Sequence, residues 1–198
     1  MKKNKIIVYG DGGHSTSCID LIESTNKFKI VGVVSNKKLK KINNYPIIGN
    51  DDDLENLKNI TNNIIIGISF YKDLKKRKKI YLRLKNLGFK IPTILSPLSY
   101  VSKGVKIGDG CQIFHRVVIN KNAKIESNCI INSRSLIEHD VKIKSNSHIS
   151  TSVTINGGCI LGEGVFIGSG SVLRENLKIK NNFFVKMGSI LKKWEKSK

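Results

Sequence analysis

From Val101 onwards the chain places an aliphatic residue at every sixth position: Val101, Ile107, Ile113, Ile119, Ile125, Ile131, Ile137, Ile143, Ile149, Ile155, Leu161, Ile167, Leu173, Ile179, Val185 and Leu191. Four residues after each comes a second register of small or apolar side chains, including Cys111, Val117, Ala123, Cys129, Ser135, Val141, Val153 and Cys159. A period of six fits neither an amphipathic helix at 3.6 nor the strict alternation of an open sheet. It fits a β-solenoid, in which each hexad forms one short strand and a corner, and stacked coils bury a column of aliphatic side chains. The second register is then a volume-limited inward slot, which explains three of the four cysteines. With no CxxC pair, they read as reduced thiols serving as small hydrophobes.

Before residue 96 the pattern changes. "KIIVYG", "FKIVGVV" and "NIIIGI" read as buried strands, "STSCIDLIES" and "DDDLENLKN" as helices, and "DLKKRKKIYLRLKNLG" as a longer helix closing at a Gly88 cap. Alternation of strands and helices predicts a parallel, Rossmann-like α/β sheet. The expected organisation is an α/β domain over 1–95 and an all-β solenoid over 96–198, with "FKIPTILSPLSYV" as the connection.

Between the first strand and first helix lies "GDGGHS". Glycines there allow a tight turn and close approach of a phosphate, which the open N–H groups of a helix N-terminus attract. Ser15 stands where a third glycine of a dinucleotide motif would be, and the domain is too short for a second nucleotide-binding half. A mononucleotide such as the UDP or GDP of an activated sugar fits better. Gly12, Gly13 and His14 in this loop, Ser35-Asn36 after the second strand, and Gly67-Ile68 at the end of the third are the candidate substrate contacts.

The net charge of +20 raises a nucleic-acid reading. The lysines are scattered, with no basic stripe interleaved with aromatics, so no nucleic-acid partner is expected. "IIVY" is too short for a signal or membrane segment, which predicts a cytoplasmic chain without membrane insertion.

One solenoid corner carries Glu138-His139-Asp140, between the inward positions Ile137 and Val141. Packing assigns none of the three, and a carboxylate beside an imidazole orients it and raises its basicity. "YGDGGH" followed by a hexapeptide solenoid containing "IEHD" resembles the sialic-acid O-acetyltransferase and nucleotide-amino-sugar N-acetyltransferase family of bacterial surface-glycan biosynthesis. The resemblance implies a left-handed β-helix of about eighteen residues per coil, a homotrimer, and acetyl-CoA lying between neighbouring solenoids. It further implies His139 as general base with Asp140 or Glu138 tuning it, the Gly12-Gly13-His14 segment binding a UDP- or GDP-linked amino sugar, and His148 contacting the acetyl-CoA side. Gly157 is the expected oxyanion position, and Ser169, Met187 and Gly188 are further cofactor candidates. The C-terminal "MGSILKKWEKSK" replaces the family's glycine-proline ending, and Ser35-Asn36 replaces its acidic pair. His139 and His148 are half a coil apart, so a shared site would take them from different subunits. The rival readings are a zinc hydratase using His115, His139 and His148, whose spacing is poor, and a non-catalytic glycan-binding scaffold. No metal is expected.

Overall fold

A computed structural model of the chain describes residues 3–69 and 75–192. The first part is a five-stranded sheet in the order β3-β4-β2-β1-β5, made of β1 (Asn4–Tyr9), β2 (Phe28–Val34), β3 (Lys41–Ile42), β4 (Tyr45–Gly49) and β5 (Ile64–Ile66). β1 pairs in parallel with β2 and β5, and β2 with β4, while β3 folds back antiparallel on β4. The β3–β4 hairpin was not among the expected strands. It turns at Asn43-Asn44, with Asn43 left-handed at φ 50°, an asparagine conformation that the sequence signals only weakly.

Helix α1 (Gly13–Thr25) begins inside the glycine loop, two residues before the stretch expected from pattern, and α2 is the short helix Leu54–Leu57. The third, α3 (Lys76–Asn86), ends before Gly88, whose φ of 85° meets the expectation of a left-handed cap. Its expected start at Asp73, like the tail after Lys192, lies outside the described residues.

The second part is a three-sided solenoid whose parallel sheets contain six, five and six two-residue strands. The aliphatic column runs through it as one buried cluster, with Cys111, Cys129 and Cys159 fully buried and reduced. Every sixth residue from Gly104 to Gly188 has a positive φ. This corner position holds Gly or Asn at most turns, and it holds Asp140 at the turn of interest, where φ is 62°. The solenoid starts earlier than expected: Ile94–Leu95 already pairs with Gln112–Ile113, so the proline-bearing segment forms a first coil rather than a linker.

Each outer face has its own character. One displays Lys106, Lys124, Lys142 and Lys178. A second displays Tyr100, Val118, Leu136, Thr154, Val172 and Ile190 and is largely apolar. The third, bearing Gln112, Ile130, His148 and Phe166, is covered by the α/β domain. Helix α1 is sandwiched there, so that Cys18, Ile19 and Ile22 share a core with Ile6 and Val8 on one side and Ile130 and Phe166 on the other.

Candidate active site

A cleft of about 660 Å³ opens at the C-terminal ends of β1, β2 and β5, the place where open α/β sheets receive ligands. All the expected substrate positions, Gly12, Gly13, His14, Ser35, Asn36, Gly67 and Ile68, line it. Their glycines differ in purpose. A Cβ on Gly67 would lie 2.5 Å from Ser15 Oγ, so this glycine lets β5 approach α1. Ser15 itself is buried and donates to the Gly10 carbonyl at 2.5 Å, tying the loop shut where a third glycine would stand. Gly12 and Gly13 meet nothing within 4 Å, so they leave room beside the helix N-terminus. The backbone N–H groups of Gly13 and His14 have no backbone acceptor there, the usual state of a first helical turn.

Several lining residues escaped the sequence reading. Lys76, Lys79 and Arg83 reach the cleft from α3, and Lys37 from beyond β2. Their 76/79/83 spacing puts three cations on one helix face, a signal lost among the many lysines. Two carboxylates from other segments of the chain, Asp11 and Asp51, stand beside Ser35 and Asn36 at the end of β2. Asp11 accepts hydrogen bonds from Ser35 Oγ and from Lys37 Nζ at 2.8 Å. Burial pushes its carboxyl up, yet the bonds from Lys37 and Ser35 outweigh this and hold it below the ordinary range. Asp51 accepts from Tyr9 OH at 2.6 Å and pairs with Arg83 at 3.1 Å, while its N–H donates to Asn36 Oδ1.

The corner between the apolar and lysine faces carries the ionisable trio. His139 is exposed, and its Nδ1 donates to Asp140 Oδ2 at 2.8 Å, leaving Nε2 as the free lone pair. Glu138 is engaged otherwise, accepting from Asn120 Nδ2 at 2.9 Å and from the His139 backbone N–H at 3.3 Å. The imidazole's partner is thus Asp140. Hydrogen bonds from His139 and Asn122 keep the Asp140 carboxyl below its usual range, so it is ionised wherever His139 is useful as a base. Gly157, one coil further on, lies against the ring: a Cβ there would sit 2.7 Å from Cε1 and Nε2. Its N–H has no hydrogen-bond partner among the described residues.

His148 is placed elsewhere. Only 6% exposed, it lies under the α/β domain with its ring 5.0 Å from Phe166 and 6.5 Å from His14. Burial, then the neighbouring His14 and Arg77, hold its imidazole well below the usual range, so it is neutral. His115 bonds to Ser96 and Asp20 at the domain junction. The three solenoid histidines do not converge, and no group of three or more metal-ligating side chains occurs among the described residues. Ser169, Met187 and Gly188 follow one another up the corner on the other edge of the apolar face, with Met187 80% exposed. They are not brought to His139 within one chain.

The chain thus joins an α/β domain with a glycine-lined cleft to a solenoid that carries an exposed His–Asp pair. Residues 5–84 match the PglD N-terminal domain and residues 95–197 the GMPPB C-terminal domain. The second match spans more than half of the chain, and the chain belongs to that family, with a PglD-type domain in front of the solenoid. No curated protein sequence matches it. Among solved structures, the acetyltransferase domain of PglB from Neisseria gonorrhoeae FA1090 is 24% identical, with 96% of this chain and 91% of that one covered and a TM-score of 0.87. PerB from Caulobacter crescentus, in complex with CoA and GDP-perosamine, is 22% identical, with 96% and 89% covered and a TM-score of 0.89. WeeI from Acinetobacter baumannii AYE is 19% identical over 95% and 96%, with a TM-score of 0.56.

Proposed function

We propose that the chain is an acetyl-CoA-dependent acyltransferase that N-acetylates a UDP- or GDP-linked amino sugar in bacterial surface-glycan biosynthesis, acting as a homotrimer in the cytoplasm. The observation that carries this reading is the His139–Asp140 pair lying over Gly157 on the corner opposite the domain-covered face. The cleft supports the substrate class: four cations, Lys37, Lys76, Lys79 and Arg83, ring a glycine-lined helix N-terminus and complement a nucleoside diphosphate. PerB, of the same fold, was solved with CoA and GDP-perosamine.

A three-sided prism puts a corner and its opposite face on different sides of the solenoid. The cleft of one chain therefore meets the His139 of a neighbour, and the exposed apolar face beside that corner is the surface on which copies associate. His148, beside His14 under the domain, then lies on the cleft side of this seam and not in its own chain's His139 corner.

In the reaction, Asp140 holds His139 with Nδ1 protonated and Nε2 free. Nε2 takes a proton from the sugar amine, the amine nitrogen attacks the thioester carbonyl, and the Gly157 N–H supports the charge on its oxygen. Collapse expels coenzyme A as a thiolate and leaves the amide. Asp140 is a positioning residue, and His139 the catalytic one.

The test is thiol release from acetyl-CoA with a panel of UDP- and GDP-amino sugars and sialic acids. Turnover of an amino-sugar nucleotide that is lost in His139→Ala supports the proposal. Turnover of a sialic acid alone would instead make it an O-acetyltransferase, and no release with any acceptor would make it a binding scaffold. Sharing of the site has its own readout. Mixed and refolded at equal amounts, His139→Ala and Arg83→Glu chains should recover roughly a quarter of wild-type activity, the chance that a neighbouring pair supplies both intact halves.

A further inference from the structure

A hydrogen bond ties the glycine loop to the solenoid through Gln112, which is 1% exposed. Its Nε2 donates to the Ile66 carbonyl at 2.7 Å, an oxygen that also receives Arg77 Nη1 at 2.7 Å. A carbonyl only accepts, so the end of the amide at Ile66 is its NH₂. The end at His14 is therefore Oε1, 2.8 Å from His14 Nε2. Oε1 likewise only accepts, so the His14 proton sits on Nε2 and Nδ1 keeps its lone pair. Nδ1 makes no hydrogen bond among the described residues, and His14 lines the cleft. Burial, then the charge of Arg77, brings the imidazole down to about 4, so the ring is a neutral acceptor at physiological pH.

The two tautomers would select different ligand groups. An Nδ1–H would add a donor to those already facing a phosphate at the helix N-terminus. An Nδ1 lone pair repels phosphate oxygens and favours a ligand N–H or O–H. We propose that Gln112 is a positioning residue, reaching across the domain junction to hold His14 as the Nε2–H tautomer so that Nδ1 accepts a hydrogen bond from the sugar of the nucleotide-linked substrate. This rests on the reading of the cleft as the sugar-nucleotide site. It also gives the buried junction a role in specificity: the solenoid sets what the α/β domain accepts.

Two variants of the full chain test it. Gln112→Met keeps the volume and removes both hydrogen bonds, while Gln112→Glu keeps an acceptor for His14 and loses the donor to Ile66. Long-range ¹H–¹⁵N spectra of the histidine rings should show His14 protonated on Nε2 in the wild type and in Gln112→Glu, and as a mixture in Gln112→Met. In Gln112→Met, KM for the amino-sugar nucleotide should rise about tenfold, the scale of one lost hydrogen bond. The affinity for GDP or UDP alone and the KM for acetyl-CoA should stay at wild-type values, and Gln112→Glu should recover most of the sugar KM at pH 8. A wild-type His14 carrying its proton on Nδ1 overturns the proposal. So does a Gln112→Met that weakens the bare nucleotide as much as the sugar nucleotide, the behaviour of a merely loosened junction. A wild type that acetylates no amino sugar overturns the reading of the cleft instead, and the ring spectra still decide the tautomer.

Discussion

Replacing Gly157 by alanine tests whether the placement of His139 matters to within an ångström. Gly157 is not among the residues of positive φ, so alanine fits its backbone, and a glycine-to-alanine change of this kind stabilises by about 0.4–1 kcal/mol through the unfolded chain. The added Cβ, however, would stand 2.7 Å from His139 Cε1 and Nε2, where ordinary contact begins at 3.4 Å. The ring must retreat by the difference, 3.4 − 2.7 = 0.7 Å. His139 is exposed and can do so freely, so the loss falls on catalysis and not on folding. A displacement approaching 1 Å costs on the order of 100-fold in rate. Gly157→Ala should therefore lower kcat roughly 30- to 100-fold in a thiol-release assay, with an unchanged or slightly raised Tm. Gly158→Ala is the contrast: φ is 71° and its Cβ would strike Asn176 Oδ1, so it should cost about 1–2 kcal/mol of stability while leaving His139 uncrowded. A Gly157→Ala enzyme with wild-type kcat would refute the placement of the reacting groups around this ring.

Asp140 combines a left-handed backbone with a carboxylate, and two substitutions separate them. Asp140→Asn suits the turn and should keep its urea midpoint while losing about 10- to 100-fold in kcat, within the range of general-base help. Asp140→Ala should lose activity similarly and about 1 kcal/mol of stability as well; equal stability of the two would refute the dual role. Acid should loosen the domain junction. His14 titrates near 4 in the folded chain and His148 well below its usual value, both because they are buried. Their neutral forms are the folded ones, so this stability is complete above the unfolded value near 6.5 and is lost as pH falls towards 4. For His14 the loss from pH 6.5 to 5 is up to about 2 kcal/mol. At fixed protein concentration, urea midpoints that do not fall between pH 7 and 5 would contradict it.

The six-residue period by itself settled the solenoid. Each hexad repeats one local choice, inward aliphatic, corner, small inward slot, and stacking requires the same choice at every coil. The same period marked Glu138, His139 and Asp140 as residues the column does not need. The positive-φ corner ran through the sequence too, as Gly or Asn at most of the sixth places, and it gives Asp140 a backbone reason beside its chemical one. The glycine loop was equally local, and the strand before it and helix after it located the cleft. What stayed hidden depends on contacts between distant segments. Ser35-Asn36 looked like the loss of an acidic pair, until the fold brought Asp11 and Asp51 to the same spot from other loops. His148 reads as one outward residue of a repeat, and only the docking of α1 on that face buries it beside His14. Gln112 gave no signal, because its meaning lies in a bond to a histidine 98 positions away. A period reports which side chains point into the coil. Which outer face receives the α/β domain is decided by the area that side chains far apart in sequence can bury together.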